Sequence, residues 1–408
     1  MKIKKLSLAV LATVAASQAA AAQVYDETSL RVAIEAANFD SSIEKIVFKK
    51  NALIELSAPV IYTGSQSLKL VGKGAIIDGS NAGSFTLDDD LTAVTEDGTL
   101  VFNTAGDITI RNLTVANSAT RGVVINIPEH AEGDDTQIKL RNVNIIDSAL
   151  FGLHIDDNAD EFDDGTTGSD IGIDLKITHS NFIGNGTGAI DFDGVRVDER
   201  GEGDINALIT HTHIDGNGGD GIELDEAGHG DVEATMINVS INNNGFYNEE
   251  DLDDGFDIDE ADDGDIDVKL IRVSANHNMD EGLDFDEAGY GDIELKLRHV
   301  EANNNSDEGI KADEEDAGDI DIKFSHTNIT ANGDDGIQLT ELGQGEIEGS
   351  LKNITAKDNS KYGIKAGQWI VEDEAASMEP AGELKIKKVS LSGNGKGDDI
   401  KTNNVTLK

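Results

Sequence analysis

The stretch Gly255-Phe-Asp-Ile-Asp-Glu260 decides the fold, because variants of it return every 27 residues. They are Gly-Leu-Asp-Phe-Asp-Glu at 282–287, Gly-Ile-Lys-Ala-Asp-Glu at 309–314, Gly-Ile-Gln-Leu-Thr-Glu at 336–341 and Gly-Ile-Lys-Ala-Gly at 363–367. A fixed period of this length is typical of a solenoid, in which each repeat forms one coil stacked on the previous one. Apolar and acidic residues alternate within each copy, and this period of two indicates a strand. The sequence therefore predicts a β-solenoid with rows of carboxylates on its surface.

The composition restricts the partners of the chain. Its 408 residues carry a formal net charge of −48, with 80 Asp and Glu against 32 Lys and Arg. Nucleic acid and anionic membrane surfaces would repel such a chain, so we expect neither as a partner. Divalent cations are the partners that this charge favours. The chain has no Cys, and its 44 Gly residues suit many short strands joined by tight turns.

The first 22 residues have the form of an export signal. Three Lys residues within 2–5 precede an apolar run at 6–16, and the alanines at 20–22 offer a cleavage site. The apolar run is too short to cross a membrane, and no later stretch qualifies as a transmembrane segment. We therefore expect 1–22 to be a signal peptide and the protein to be periplasmic, extracellular or held at the cell surface.

A short amphipathic helix is predicted directly after this signal. Leu30, Ile34 and Ala37 fall on one face of it, and Asp26 or Thr28 is suited to cap its N-terminus. Because an open solenoid end exposes its core, we expect the helix to cover that end.

This region also resembles a known family. The residues that carry the resemblance are Thr28-Ser-Leu-Arg-Val-Ala-Ile-Glu-Ala-Ala-Asn38, Ile46-Val-Phe48 and Leu68-Lys-Leu-Val-Gly-Lys-Gly-Ala-Ile-Ile-Asp-Gly79. They resemble the N-terminal cap of pectate-lyase-like right-handed parallel β-helix proteins, and in particular of secreted bacterial proteins that open with a C-S-L-R-E-A-I segment. The resemblance implies an all-β, single-stranded right-handed parallel β-helix of about ten coils with a short capping helix. We assign 23–97 to the cap and first coils, and 98–408 to the repeats.

Two polar rows recur with the repeat. One consists of Asn residues four positions before the repeated glycine and predicts a structural turn ladder with stacked amides: Asn185, Asn217, Asn278, Asn305, Asn332 and Asn359. The other lies six residues earlier: Asn142, His179, His211, Asn238, Arg272, His299, His326 and Asn353. A zinc site needs three or four converging ligands, whereas these His residues come in pairs separated by other side chains. We therefore interpret the second row as solvated turn residues.

The acidic strand after the repeated glycine places carboxylates in register. With Ala189 aligned to the glycine, the expected outward rows are His154, Asp191, Glu223, Asp257, Asp284, Lys311, Gln338 and Asp156, Asp193, Asp225, Asp259, Asp286, Asp313, Thr340. We expect a third row at the turn, namely Glu226, Glu260, Glu287, Glu314 and Glu341. Coils stack about 4.8 Å apart, where two like charges repel by about 0.9 kcal/mol in water and by roughly four times that at an effective dielectric of 20. Something has to offset this repulsion.

Bound Ca²⁺ and a solvated, salt-screened surface are the two alternatives. Ca²⁺ takes roughly six to eight oxygen ligands, which carboxylates and backbone carbonyls can supply. A solvated face would instead have raised carboxylate pKa values and depend on salt. Because the carboxylates are in register, we favour Ca²⁺, with the predicted ligands Asp193, Glu223, Asp225, Asp257, Asp259, Asp284, Asp286 and Asp313.

Insertions interrupt the repeat at 127–135, 157–170, 194–202, 245–251 and 367–381. Insertions in solenoids form loops on one face, which is often the binding face, so we expect the first three to stand together. If the chain is an enzyme, the candidate catalytic residues beside these loops are His154, Asp191, Asp193 and Arg196.

The resemblance also implies an activity. Pectate-lyase-like enzymes use Ca²⁺ held by acidic residues and a nearby Arg or Lys base, which would make the chain a calcium-dependent polysaccharide lyase or epimerase acting on a uronate-containing polymer. Against this, the acidic pattern is uniform along the solenoid, whereas an active site should be a local irregularity. Aromatic residues make up only 4% of the chain, and an anionic polymer would be repelled. We therefore favour a secreted protein without catalytic activity that binds divalent cations, with a structural, cell-surface or matrix-interaction role. A scaffold without metal is the third alternative.

Overall fold

The computed structural model describes residues 23–88, 91–93, 95, 97–158, 167–247, 252–370, 375–376 and 380–408. The predicted signal peptide 1–22 lies outside the described residues, as do most of the predicted insertion 157–170 and parts of those at 245–251 and 367–381. The elements are α1 (Glu27–Phe39), β1 (Gln23–Val24), β2 (Lys45–Phe48), β3 (Leu53–Glu55), β4 (Val60–Tyr62), β5 (Leu68–Asp78), β6 (Gly98–Asn103), β7 (Ile108–Ala116), β8 (Arg121–Asn126), β9 (Thr136–Ile146), β10 (Leu153–Asp156), β11 (Ile173–Thr178), β12 (Asn181–Ile183), β13 (Val195–Glu199), β14 (Ile205–Asp215), β15 (Ile222–Gly228), β16 (Val232–Asn242), β17 (Phe256–Asp262), β18 (Ile266–Asn276), β19 (Asp286–Gly289), β20 (Ile293–Arg298), β21 (Glu301–Asn303), β22 (Ile310–Asp316), β23 (Ile320–Thr330), β24 (Ile337–Gly343), β25 (Ile347–Lys357), β26 (Lys365–Ile370), β27 (Ala375–Ala376), β28 (Gly382–Ser392), β29 (Lys401–Asn403) and β30 (Val405–Leu407).

The strands stack in two long sheets. Sheet B contains 13 strands, β4, β6, β8, β10, β13, β15, β17, β19, β22, β24, β26, β27 and β29, and the remaining 17 form sheet A. Apart from β27, which pairs antiparallel with β26, the strands of sheet B form twelve parallel levels in the described part of the chain. Each level of sheet B leads into a level of sheet A, and crossovers between parallel strands are right-handed. The chain is therefore a right-handed parallel β-helix, as the repeat and the resemblance predicted.

The long strands of sheet A bend in the middle. In β14 the bend lies at His211, whose φ of 52° is left-handed. The same bend recurs along the second polar row, at Asn142, His179, Asn238, Arg272, His299, His326 and Asn353. These side chains are exposed or half-buried, so their interpretation as solvated turn residues is confirmed.

The turn after each sheet B strand is built from stacked glycines and aspartates. A Cβ on Gly291 would lie 1.7 Å from the carbonyl oxygen of Gly264, so no larger residue fits there. The next residue, Asp292, donates its backbone N–H to Asp265 Oδ1 at 2.8 Å, and Asp319 donates to Asp292 at the same distance. These exposed carboxylates therefore form a structural ladder along the turn.

Helix α1 covers the N-terminal end of the solenoid. Its buried face consists of the predicted residues Leu30, Ile34 and Ala37. Asp26 is the N-cap, since its Oδ1 accepts the backbone N–H of Ser29 at 2.8 Å, and Thr28 lies within the helix. Among the described residues, no helix has the length and apolar character that a membrane span requires.

The predicted Asn ladder lies inside the turn before sheet B. Asn278 Nδ2 donates to Asn305 Oδ1 at 3.3 Å, and Asn305 Nδ2 donates to Asn332 Oδ1 at 3.2 Å. The left-handed residue of this turn precedes the Asn, as at His277 and Asn304, with φ of 61° and 58°. The ladder includes two members that the sequence analysis missed, Asn244 and Asn394.

One coil departs from the predicted register. The glycine that opens its sheet B strand is Gly194, and an excursion at 186–193 precedes it. The prediction of an insertion at 194–202 is wrong for its first half, because Val195–Glu199 is strand β13 in the middle of sheet B. The extra residues lie before the strand and not after it.

A small hydrophobic cluster lies outside the main core, against sheet B. Its members are Phe85, Ala93, Leu150, Phe151, Ala189 and Phe192. The excursion 186–193 meets the preceding excursion, which is described at 79–88, 91–93, 95 and 97, since the backbone N–H of Ile190 donates to the carbonyl of Leu91 at 3.1 Å. The two excursions form a wall over the N-terminal levels of the sheet, here called the N-terminal wall.

Residues of the three early predicted insertions line one cleft at the turn after sheet B. They are Glu129 and His130 of the first, Thr167, Gly168 and Asp170 of the second, and Gly201 and Glu202 of the third. This cleft lies beside the glycine turn and not on the outer face that carries the acidic rows.

Candidate cation site on the outer face of sheet B

Strand pairing fixes the two outward rows of sheet B. They are His154, Arg196, Glu223, Asp257, Asp284, Lys311, Gln338 and Asp156, Asp198, Asp225, Asp259, Asp286, Asp313, Thr340. Arg196 and Asp198 therefore occupy the positions that the sequence analysis gave to Asp191 and Asp193. That prediction is wrong because the excursion 186–193 contains an apolar and acidic alternation that imitates the repeat.

A further row of acids stands immediately before six of the glycines that open sheet B strands. This turn row is Asp193, Asp220, Asp254, Glu281, Glu308 and Asp335, and its members are at most 8% exposed. Asp193 Oδ1 accepts the backbone N–H of Asp220 at 2.7 Å, and Asp254 Oδ1 accepts that of Glu281 at 2.6 Å. One oxygen of such a carboxylate is thus used within the fold, and the other is available to a ligand.

The turn row and the first outward row converge in the middle of the face. Oxygens of Asp220, Glu223 and Asp257 lie within 4.8 Å of one another, and so do oxygens of Asp254, Asp257 and Asp284. Asp257 belongs to both groups, so these five residues form one continuous acidic cluster. Its donors are hard carboxylate oxygens, the ligand type that Ca²⁺ prefers, so the residues fit this ion.

Three of the five carboxylates in the acidic cluster have no compensating protein cation among the described residues. In the described part of the chain, no salt bridge reaches Asp220, Asp254 or Asp257. Burial, and after it the neighbouring carboxylates, raises the pKa of these three residues well above the usual range and that of Asp284 to about 8. At neutral pH the cluster therefore needs either protons or a bound cation.

Two arginines bound the acidic cluster on its N-terminal side. Arg196 Nε donates to Asp198 Oδ1 at 2.6 Å, its Nη2 donates to Asp225 Oδ2 at 2.8 Å, and its Nη1 contacts Glu223. Arg200 Nη1 donates to Asp225 Oδ1 at 2.8 Å. The positive charges of both arginines are therefore paired with carboxylates of the protein.

Lys311 bounds the cluster on its C-terminal side. Its Nζ lies 2.8 Å from Asp284, 3.1 Å from Asp286 and 3.8 Å from Asp313. The acidic cluster therefore occupies the stretch of the face between two cationic clamps.

The structure divides the eight predicted metal ligands. Three of them, Glu223, Asp257 and Asp284, belong to the acidic cluster. Asp193 joins a group with Asp191 and Glu223 at the N-terminal end of the cluster. The others belong to the second outward row, where Asp225 pairs with the arginines, Asp286 and Asp313 pair with Lys311, and Asp259 stands between the clamps.

Asp220 and Asp254 belong to the candidate site but were not predicted from the sequence. The signal was present, since an acid stands directly before Gly221, Gly255 and Gly282. It was overlooked because the reasoning followed the alternation after the glycine and not the turn before it.

His154 does not lie on the open part of the face. It is fully buried under Phe151, with ring centroids 4.5 Å apart, and Phe192 packs on Phe151 in the N-terminal wall. A guanidinium can only donate, so His154 Nδ1 accepts a hydrogen bond from Arg121 Nη1 at 3.0 Å. The ring proton of His154 is therefore on Nε2, which donates to Asp198 Oδ2 at 2.9 Å. His154 therefore positions Asp198 and is out of reach of a substrate.

The four candidate catalytic residues are only partly brought together. Arg196 Nη1 lies 3.9 Å from Asp193 Oδ2, and Asp191 is close to Asp193. His154 is buried and is linked to Arg196 only through Asp198, which both side chains contact. Burial by itself would lower the pKa of Arg196, but the surrounding carboxylates outweigh it and raise the pKa well above the ordinary value. The pKa of Lys311 is raised for the same reason. Both side chains are held by contacts with carboxylates of the protein.

The third acidic row does not face solvent. Its members point into the solenoid and are at most 2% exposed: Glu199, Glu226, Glu260, Glu287, Glu314 and Glu341. The alternation explains this, because Glu226 falls on the same side of its strand as Ile222 and Leu224. The expectation that this row would lie with the outward rows is therefore wrong, and we call it the glutamate column.

Solved structures with a similar fold include two carbohydrate-active enzymes and an adhesin. The periplasmic alginate epimerase AlgG has a TM-score of 0.46 and 12% identity, over 89% of this chain and 77% of that one. The catalytic domain of GH87 α-1,3-glucanase in complex with nigerose has a TM-score of 0.38 and 10% identity, over 96% and 69%. PfbA, a surface adhesin of Streptococcus pneumoniae, has a TM-score of 0.30 and 12% identity, over 92% and 90%. No protein-family model and no curated protein matches the sequence.

Proposed function

We propose that the chain is an exported β-helix protein that binds divalent cations, Ca²⁺ in the first place, at the acidic cluster. The observation that carries this proposal is the position of Asp257, which belongs to two groups of three converging carboxylates and has no cationic partner among the described residues. Ca²⁺ would neutralise the cluster and complete its shell with backbone carbonyls and water.

The role that fits such a site is structural or adhesive. A bound cation would link neighbouring coils and stabilise the middle of the solenoid. Water ligands of the cation can exchange for oxygens of a polysaccharide or of the cell-surface matrix, which makes these the proposed partners. The buried and ion-paired state of Arg196 supports this role over that of a lyase or epimerase.

A calcium titration tests the proposal. We expect Ca²⁺ to raise the unfolding temperature of the chain far more than NaCl of equal ionic strength does. Asp257→Asn should weaken this effect at least tenfold in calcium concentration, because it removes one ligand from both groups. The matched control Glu348→Gln changes an exposed acid on sheet A and should leave the titration unchanged.

Two results would contradict the proposal. Equal stabilisation by Ca²⁺ and by NaCl would indicate a screened surface without a specific site. Release of unsaturated product from alginate or pectate, lost in Arg196→Ala, would show that the chain is a lyase and that its base is Arg196.

A further inference from the structure

The glutamate column is a second place where carboxylates converge. It lies on the inner side of the strands whose outer side carries the acidic cluster, so Glu226 points inward where Glu223 points outward. Its six members stack in register and are at most 2% exposed. Six buried carboxylates in one file cannot all remain charged without compensation.

Two middle members of the column face only other carboxyl groups. Both carboxyl oxygens of Glu260 and Glu314 are buried and accept no hydrogen bond from a backbone N–H, an amide or a cation among the described residues. Glu260 instead faces the carboxyl groups of Glu226 and Glu287. Two carboxylates in contact repel each other unless a positive charge lies between them. Arg200 provides such a charge for Glu226 at the N-terminal end only.

The last position of the column shows what its surroundings require. Gln368 stands in register with Glu341, and its Oε1 accepts the backbone N–H of Gly382 at 2.8 Å. Its Nε2 donates to the carbonyl oxygens of Gly345 and Pro380, both at 3.1 Å. Two backbone carbonyls therefore converge where a glutamate would place its second oxygen. A glutamate in such surroundings needs either a proton or a hard cation where the amide has hydrogen atoms.

We propose that the glutamate column is a second, internal row of cation sites, in which one Ca²⁺ lies between the carboxylates of each pair of coils. Six carboxylates are neutralised by about three divalent ions, with turn carbonyls as further ligands. Ions at every coil would stand about 4.8 Å apart and repel strongly, so alternate spacing is favoured. Ions inside the solenoid are released only when a coil opens, which distinguishes them from ions on the outer face.

Release kinetics test this proposal. The chain is loaded with Ca²⁺, desalted and mixed in a stopped-flow instrument with an excess of a fluorescent chelator. We expect a fast phase from the outer face and a slow phase of about three ions from the column. Glu287→Gln and Glu314→Gln should each remove about one slow ion, since glutamine already occupies the last position of the column. Asp257→Asn should diminish the fast phase alone.

Each outcome decides between the two sites. A wild-type chain without slow calcium, or folded glutamine variants with an unchanged slow phase, would overturn the internal row and leave protons as the neutralising charge. A missing fast phase would contradict the acidic cluster and leave the slow-phase result standing. If neither glutamine variant folds, the test rests on the wild-type chain. A slow phase then supports the internal row of cation sites, and its absence contradicts that row.

Discussion

Sheet B carries two buried polar rows, the Asn ladder and the glutamate column. Only the Asn ladder satisfies its own hydrogen bonds. The Asn ladder stands before each strand, and its amides donate and accept, so each side chain satisfies the next. The glutamate column lies on the inner side of the strands and, in its charged form, offers acceptors only. Stacking in register therefore stabilises amides without help, whereas stacked carboxylates require added positive charge. The same repeat thus produces a structural element on one side and a candidate binding site on the other.

The strongest test of this difference is pH, because only the carboxylates titrate. Burial first of all raises the pKa of Glu226 and Glu287 to about 7 and that of Glu314 to about 9. The folded chain therefore holds protons that the unfolded chain releases near pH 4.5, so stability falls as pH rises.

Urea unfolding in chelator at a series of pH values measures this effect. We expect the free energy of unfolding to decrease from about pH 5 to about pH 9. Saturating Ca²⁺ should flatten the decrease, because the ion replaces the protons. Stability that increases over this range in chelator would refute the explanation.

We expect the loss of a single side chain from the Asn ladder to destabilise the fold. Asn305→Ala removes a side chain that donates to Ala275 and Asn332 and accepts twice from Asn278. We expect a loss of about 3 kcal/mol, independent of Ca²⁺ and of pH, since buried partners are left unpaired. Denaturant midpoints with and without chelator check this. A loss that depends on calcium would remove the distinction between the two ladders.

A glutamine in the column should have the opposite effect, with a sign that depends on calcium. In chelator at pH 8, Glu287→Gln is expected to stabilise the chain by about 1 kcal/mol, because the amide donates to a neighbouring carboxylate. In saturating Ca²⁺ the same variant should be less stable than the wild type. Thermal unfolding under both conditions measures the change, and identical effects in both would contradict it.

The bend of sheet A offers the smallest effect. His299→Asn places there the residue that already occupies the bend at Asn238 and Asn353. We expect a change within about 0.5 kcal/mol in either direction, since Asn tolerates a left-handed backbone. A larger loss in thermal unfolding would show that the imidazole does more than occupy a turn.

The repeat made the fold predictable. A glycine every 27 residues followed by an alternating strand placed β17, β22 and β24 correctly from the sequence. The prediction failed at Ala189, because the excursion 186–193 contains its own alternation of apolar and acidic residues. Only strand pairing, which depends on contacts distant in sequence, distinguishes such a copy from a true coil.

The candidate site was predictable in part. Glu223, Asp257 and Asp284 could be found because the period of two places them outward. Asp254 lies outside that alternation, because it stands in the turn before Gly255 and not on the strand after it. The inward direction of Glu226 was predictable, because strict alternation places it with Ile222, yet an acid at such a position contradicts the usual preference for apolar cores.

The uneven distribution of charge along the stack has a consequence for how the molecule comes apart. In a solenoid each coil is held only by its two neighbours, so stability is a chain of local couplings. The carboxylates are concentrated between β13 and β22, whereas the levels before β10 and after β24 have few of them on sheet B. When cations are withdrawn, the couplings weaken in this middle section, and the two ends become separate cooperative units. Bound ions would then set the length over which the molecule behaves as a single mechanical body.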